Sequence, residues 1–336
     1  MTADVLGGYR GARTIAEGFL DDHADIVVAG ISALAAQRLA PVFQERGKAL
    51  IVANVGAHVV LPSARNAFVL HNSLMYWQAS FMAGRYAAQA VGSKGFLATS
   101  LFDAGYDTVY AFRRGFESAG GTIVGEGVTH VDAAKPGLTE LVAAVRASGA
   151  NFVFGLYSGP QVAEFLGASA GTGVKVLAGG LAVEDYVLST AGTAGVGAIS
   201  LSSWTAARST KENVAFTKDF KARYGRAPDP FAALGSDTAA MIAEGTQRAV
   251  ASRVGLGRLV EALGGATIDG PRGRMTVDPA TNMVTGPVAI RAVNHTTRGI
   301  ENVDVGWAPP IASFPDLLAP LATDPRSGYL NEYVCA

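Results

Sequence analysis

Residues 24–57 read ADIVVAGISALAAQRLAPVFQERGKALIVANVGA, and this stretch decides the fold. Asp25 to Ala29 is a short, nearly continuous β-branched run. A run of that length without polar alternation suits a parallel strand covered on both faces. Ser32 then stands where a helix N-cap belongs, ahead of a helix expected over Ala33 to Arg46. Gly47 ends that helix, and Ala49 to Ala53 is the next strand. Strand, helix and strand in this order form one βαβ unit with a right-handed crossover.

The same beat extends outward in both directions. Upstream, Arg10 to Asp22 carries Ile15, Ala16, Phe19 and Leu20 on one helical face. Downstream, strands are expected at Ala67–Leu70, Gly95–Thr99, Thr122–Val128, Phe152–Gly155, Val174–Ala178 and Val196–Leu201. Helices are expected at Met75–Val91, Thr108–Ala119, Gly137–Ser148, Gln161–Gly171 and Glu184–Leu188. The tail departs from this rhythm. It has two long helices, Asn213–Tyr224 and Phe231–Ser252, then short strands near Arg274–Val277, Val288–Val293 and Asn302–Val305. The Pro-rich stretch Ala308–Pro325 reads as a surface strap. Alternating strands and helices imply an α/β protein with doubly wound parallel sheets.

Length and composition narrow the class. A chain of 336 residues exceeds one typical core and suits two lobes. With 49% hydrophobic and 16% charged residues, the chain lacks the composition of disorder. A net charge of −1 gives no electrostatic footprint for nucleic acid, so no nucleic-acid partner is expected. Apolar runs are too short for the roughly 20 residues a spanning helix needs. No basic, apolar, small-residue signal peptide is read at the start. The single cysteine, Cys335, forms no internal disulfide, and a tail thiol is its simplest reading.

Enzyme signatures are missing. Gly30 to Leu34 (GISAL) lacks the later glycines of a dinucleotide-binding loop. Neither a phosphate-loop Gly-Lys-Ser/Thr nor a Gly-x-Ser-x-Gly nucleophile elbow occurs. His23, His58, His71, His130 and His295 form no His-x-x-x-His pair. No catalytic residue, metal ion or cofactor is therefore expected. In open parallel sheets, small molecules bind at the carboxyl ends of the strands. The loops there are Gly30–Ser32, Asn54–His58, Ser100–Tyr106, Leu156–Gly159 and Gly179–Leu181. They are rich in Gly, Ser, Tyr and His, with helix starts that suit a carboxylate.

These segments, in this order, resemble a known family. The run at 24–57 resembles a strand, helix and strand of type I periplasmic binding proteins, and more narrowly of the leucine/isoleucine/valine-binding branch. Residues 96–126 (FLATSLFDAGYDTVYAFRRGFESAGGTIVGE) resemble its D-x-x-Y-G loop with flanking strand and helix. Residues 149–166 (GANFVFGLYSGPQVAEFL) resemble its second-lobe ligand loop, and 270–293 (GPRGRMTVDPATNMVTGPVAIRAV) its late hairpin.

The resemblance implies two lobes that close on a solute without turnover, in the periplasm or outside the cell, for an ABC transporter whose permease subunits are the partners. It implies an N-terminal lobe of 1–121 plus about 251–278 and a C-terminal lobe of 122–250 plus about 279–336. Crossings would fall near 121, 250 and 278, and the first strand of the N-terminal lobe would be missing. Ser32, Ala57 and His58 would meet the ligand carboxylate. Tyr106, Tyr157 and Gly180 would line the cleft, with Phe102 and Trp204 as apolar wall. In amino-acid binders of the family an acid follows the VLA-type strand and pairs with the ligand ammonium; here Gly179-Gly180-Leu181 takes its place. An apolar or aromatic carboxylate is then favoured over a free amino acid, unless Asp103, Glu184 or Asp237 replaces that acid. A soluble amide or amino-acid sensor of the same fold is the alternative.

Overall fold

Strand and helix alternate along the computed structural model, which describes residues 1–3, 8–101, 103, 107–130, 137–311 and 317–323. The helices are α1 (Gly8–Asp21), α2 (Ala33–Arg46), α3 (Tyr76–Tyr86), α4 (Asp107–Ser118), α5 (Leu138–Ala147), α6 (Gln161–Ala170), α7 (Asp185–Ala191), α8 (Lys211–Tyr224), α9 (Pro230–Ala251) and α10 (Leu259–Ala262). The first eight strands are β1 (Ile26–Ala29), β2 (Ala49–Asn54), β3 (Val69–Ser73), β4 (Lys94–Ser100), β5 (Thr122–Thr129), β6 (Phe152–Leu156), β7 (Lys175–Ala178) and β8 (Ile199–Ser202). They are followed by β9 (Thr267–Gly270), β10 (Gly273–Val277), β11 (Val284–Thr285), β12 (Val288–Thr296) and β13 (Gly299–Ala308). Phe102, Tyr106 and Cys335 lie outside the described residues.

The chain forms two compact units. One comprises 1–75, 209–287 and 310–322; the other comprises 76–208, 288–309 and 323–336. The changeovers thus differ from the expected 121, 250 and 278. At 121 the reason is direct: β4 and β5 pair side by side, so the chain stays in one sheet there.

In the first unit, β1, β2 and β3 form a parallel sheet in that order. Ser32 caps α2 by accepting from the Ala35 amide at 3.1 Å, and Gly47 ends it at φ 61°. The apolar faces of α1 (Ala12, Ala16, Leu20) and α2 (Ala36, Leu39, Phe43) pack with Val27, Leu50 and Val52. Strands β9, β10 and β11 make a separate antiparallel sheet. The expected surface strap is anchored here, because Leu318 and Leu321 are buried.

In the second unit the sheet order is β13-β12-β8-β7-β6-β4-β5. Strands β8, β7, β6, β4 and β5 run parallel, whereas β12 joins β8 antiparallel and forms a hairpin with β13. Helices α3 and α4 meet backbone to backbone. A Cβ at Gly115 would lie 1.9 Å from the Phe81 carbonyl oxygen, and one at Gly84 would lie 2.2 Å from that of Phe112. The helix expected to run to Val91 is α-helical only to Tyr86, then widens into a π-helical turn over Ala87–Val91. Phe112 stacks on Phe154 at 3.9 Å, and Phe116 meets Phe152 edge-on at 5.1 Å, fixing α4 on the sheet.

Candidate functional site

In the first unit, the carboxyl ends of β1 and β2 are tied together by one side chain. The Asn54 amide nitrogen donates to the Ile31 carbonyl at 2.8 Å, and its oxygen accepts from the Gly56 amide at 2.9 Å. The loops that carry Ser32 and Ala57–His58 are therefore held to each other. Gly56 sits at φ 73°, and a Cβ there would come within 2.4 Å of Ser73 Oγ. Only glycine allows that approach. Ser32 is exposed, Ala57 is buried and His58 is half-buried. The Ser32 oxygen is engaged by Ala35, but a hydroxyl that accepts still has its own hydrogen to donate. The first turn of α2 also leaves amides without intrahelical partners.

In the second unit, β4 is the topological switch point: the chain leaves it to β5 on one side, then returns to β6 on the other. Ligand crevices open at such points. Asp103 follows β4 and Ser158 follows β6. The hydroxyls of Ser100 and Ser158 both donate to Asp103 Oδ2, at 2.7 and 3.1 Å. The Ser158 backbone amide donates to the same carboxylate, and burial nevertheless pushes the Asp103 pKa up. Tyr157, after β6, is buried, stacks on Phe165 at 4.4 Å and accepts from the Thr129 hydroxyl at 3.3 Å. Tyr76, from the start of α3, receives the Leu181 amide on its hydroxyl. Burial raises the pKa of both tyrosines, Asp103 adding to it, so both stay neutral.

The other expected residues lie differently. The space left by Gly179-Gly180 is filled. A Cβ at Gly179 would fall 2.2 Å from the Tyr76 hydroxyl, and one at Gly180 would fall 2.5 Å from the Leu201 carbonyl oxygen. The Gly180 carbonyl accepts from the Arg291 guanidinium. Trp204 is 2% exposed, and Trp77 is fully buried against Phe81. Asp237 is 1% exposed and paired with Arg272, which also reaches the Ser73 carbonyl and, at 2.6 Å, Asn72 Oδ1. Glu184 is paired with Arg291 at 2.7 Å. Both acids thus already hold a counter-charge. Phe102 and Tyr106 lie outside the described residues.

Sequence reading missed Asn54, Arg272 and Arg291. An Asn that closes an apolar strand, and an Arg inside the apolar run VAIRAV, are signals of a buried polar partner. Among the described residues, no group of three or more metal-type ligands occurs.

A parallel sheet that gathers hydroxyls and a carboxylate at its switch point has the layout of a small-molecule-binding fold. The particular family follows from comparison: the chain belongs to the periplasmic binding protein family, whose model matches residues 3–298. Its fold is that of the type I proteins of this family.

The Leu/Ile/Val-binding protein homolog 6 of Brucella melitensis is 23% identical over 271 residues, covering 79% of this chain and 68% of that protein. An ABC transporter substrate-binding protein from Sphaerobacter thermophilus superposes with a TM-score of 0.82 at 24% identity, covering 92% of this chain and 86% of that one. A solute-binding protein of an ABC transporter from Rhodopseudomonas palustris, in complex with 3,4-dihydroxybenzoic acid, gives a TM-score of 0.77 at 20% identity, covering 94% and 87%.

Proposed function

We propose that the chain is the solute-binding component of an ABC-type importer. It would work in the periplasm or outside the cell, hand its cargo to permease subunits and perform no chemistry. Its solute would be a small carboxylate with an apolar body, either an apolar or aromatic carboxylate or a hydrophobic amino acid, held by closure of the two lobes. The observation that carries this reading is the switch-point cluster of Ser100, Asp103, Tyr157 and Ser158 in a member of this family. The exposed Ser32 at the start of α2 supports a carboxylate, because helix N-termini favour anions. The Rhodopseudomonas protein of this fold is in complex with an aromatic carboxylate. Among the described residues, no helix is long and apolar enough to cross a membrane.

A thermal-shift screen of carboxylates and amino acids tests the reading. A solute at 100 times its dissociation constant stabilises the folded chain by about 2.7 kcal/mol. The solute is then recovered chemically unchanged, and the radius of gyration shrinks at saturation. A screen in which no carboxylate or amino acid raises the melting temperature overturns the reading.

A further inference from the structure

Three buried acids stand in the positions that sequence reading singled out for a ligand cation, and the structure separates them. Asp237 is neutralised by Arg272 and Glu184 by Arg291. Asp103 is 4% exposed, yet its hydrogen-bond partners are the Ser100 and Ser158 hydroxyls and the Ser158 amide. Among the described residues, no arginine, lysine or histidine forms an ion pair with it. Among the described residues, the titratable groups that face it are Tyr76 and Tyr157. A buried carboxylate without a counter-charge is costly and persists where the surrounding structure holds it in place.

Resting on the solute-binding reading above, we propose that Asp103 is the specificity-determining acceptor for an N–H or O–H donor on the bound solute. Three observations converge on this. Asp103 and Ser158 meet across the switch point between β4 and β6, where ligands of parallel sheets bind. A carboxylate offers about four acceptor positions, and the donors described here take three. After β7 no side chain fits at 179 or 180, because Tyr76 and the Leu201 carbonyl close in on the two glycines, and the next acid, Glu184, is held by Arg291. The acceptor for a polar hydrogen on the solute therefore sits after β4. The second unit already supplies the hydroxyls of Ser100 and Ser158 beside it, so Asp103 sets which apolar carboxylates are distinguished: those with a donor from those without.

Calorimetry on two matched pairs tests the proposal: phenylalanine against 3-phenylpropionate, and 4-hydroxybenzoate against benzoate. In the unaltered protein, the donor-bearing member of at least one pair binds roughly tenfold or more tighter, as expected for a hydrogen bond to a charged group. An advantage in the first pair identifies an ammonium, and one in the second a hydroxyl. Asp103→Ala abolishes that advantage, lowering the affinity for the donor-bearing member roughly tenfold more than that for the donor-free one. Asp103→Asn keeps the shape and lowers the advantage for an ammonium, which serves if the alanine variant does not fold. Binding of both members with no donor advantage in the unaltered protein overturns the proposal and leaves the solute-binding reading standing. So does an advantage that survives both substitutions. Failure of all four compounds to bind, in a chain that also fails the wider screen, overturns the two together.

Discussion

Arg291 and Glu184, 107 positions apart in sequence, meet at 2.7 Å with side chains 1% and 8% exposed. The guanidinium also holds Ser200 Oγ at 3.1 Å and the Gly180 carbonyl, so one side chain joins β12, β8 and the turn after β7. The Arg272–Asp237 pair does the same in the first unit, joining β3, α9 and the β9–β10 hairpin. Burying a pair of charges gains little over apolar packing, but removing one partner strands the other. Glu184→Ala is therefore expected to cost about 3–5 kcal/mol, read as a lowered urea midpoint. Replacing both partners, Glu184→Leu with Arg291→Met, recovers most of that loss. A single alanine variant as stable as the parent would show that Arg291 is satisfied by Ser200 and Gly180 alone.

His71 makes acid stability a local property of β3. Burial lowers its pKa to about 4, against 6.5 for the free side chain. As pH falls below 6.5 the unfolded chain takes up a proton that the folded chain refuses until about pH 4. Stability from this group is thus complete above pH 6.5 and is lost across that window, by about 3 kcal/mol in total. His71→Gln should flatten the stability–pH curve between pH 6.5 and 4 by about one proton. Equal slopes for the two proteins would show that the folded ring titrates normally.

The α3–α4 crossing depends on a missing methyl group. Gly115 places its backbone against the Phe81 carbonyl, where a Cβ would lie 1.9 Å away, and backbone cannot swing aside as a side chain does. Gly115→Ala gains helix propensity of about 1 kcal/mol. It forces the helices apart and disturbs the Phe112–Phe154 stack beneath them. Overpacking of this kind typically costs about 1–3 kcal/mol, so the net effect is destabilising, by up to about 2 kcal/mol. Gly120→Ala, with open space around it but φ of 88°, is the matched control for backbone strain. Thermal denaturation of the two variants separates the mechanisms, and a Gly115→Ala protein as stable as the parent would refute the close crossing.

Much of this architecture was legible because its signals are local. The DIVVA and ALIVA runs, the Ser32 cap and the Gly47 stop lie within about one turn of the elements they define, and they became β1, β2 and α2. The arginine pairs were not legible, since nothing near Arg272 or Arg291 names a partner 35 or 107 positions away. Gly179-Gly180 was read as the absence of an acid. Structurally it is a place where Tyr76, from the start of α3, and β8 leave no room for any side chain. The antiparallel addition of β12 and β13 escaped for a similar reason: strand direction is set by the partner, here β8, and not by the strand's own composition.

Ser32 has two roles to separate. Its oxygen caps α2 at the Ala35 amide, and its hydrogen remains available to a solute carboxylate. Ser32→Ala should lower stability by about 1 kcal/mol through the cap and solute affinity by about 1–3 kcal/mol. Ser32→Gly keeps most of the capping preference but has no hydroxyl. A glycine variant with near-parental stability and weakened binding of 3-phenylpropionate assigns the hydroxyl to the solute. Unchanged affinity in both variants would confine Ser32 to the cap.

Asp103 should trade stability for recognition. Three donors favour its charged form and burial opposes it, and burial prevails, so the folded carboxyl holds its proton more tightly than the usual 3.8. A pKa raised on folding gives stability that is complete below the unfolded value and is lost as pH rises through the folded one. At neutral pH the carboxylate is therefore a burden on the folded chain. Asp103→Asn removes the ionisation, while its carbonyl oxygen still accepts from Ser100 and Ser158. The melting temperature of the variant relative to the parent is expected to rise between pH 4 and pH 7, with the variant the more stable at pH 7. The same substitution weakens discrimination for ammonium-bearing solutes, the usual exchange between a strained site and a relaxed one. Differential scanning calorimetry at the two pH values decides it. A difference that stays constant, or turns against the variant as pH rises, would show that the serine hydroxyls and the Ser158 amide outweigh the cost of burying the charge.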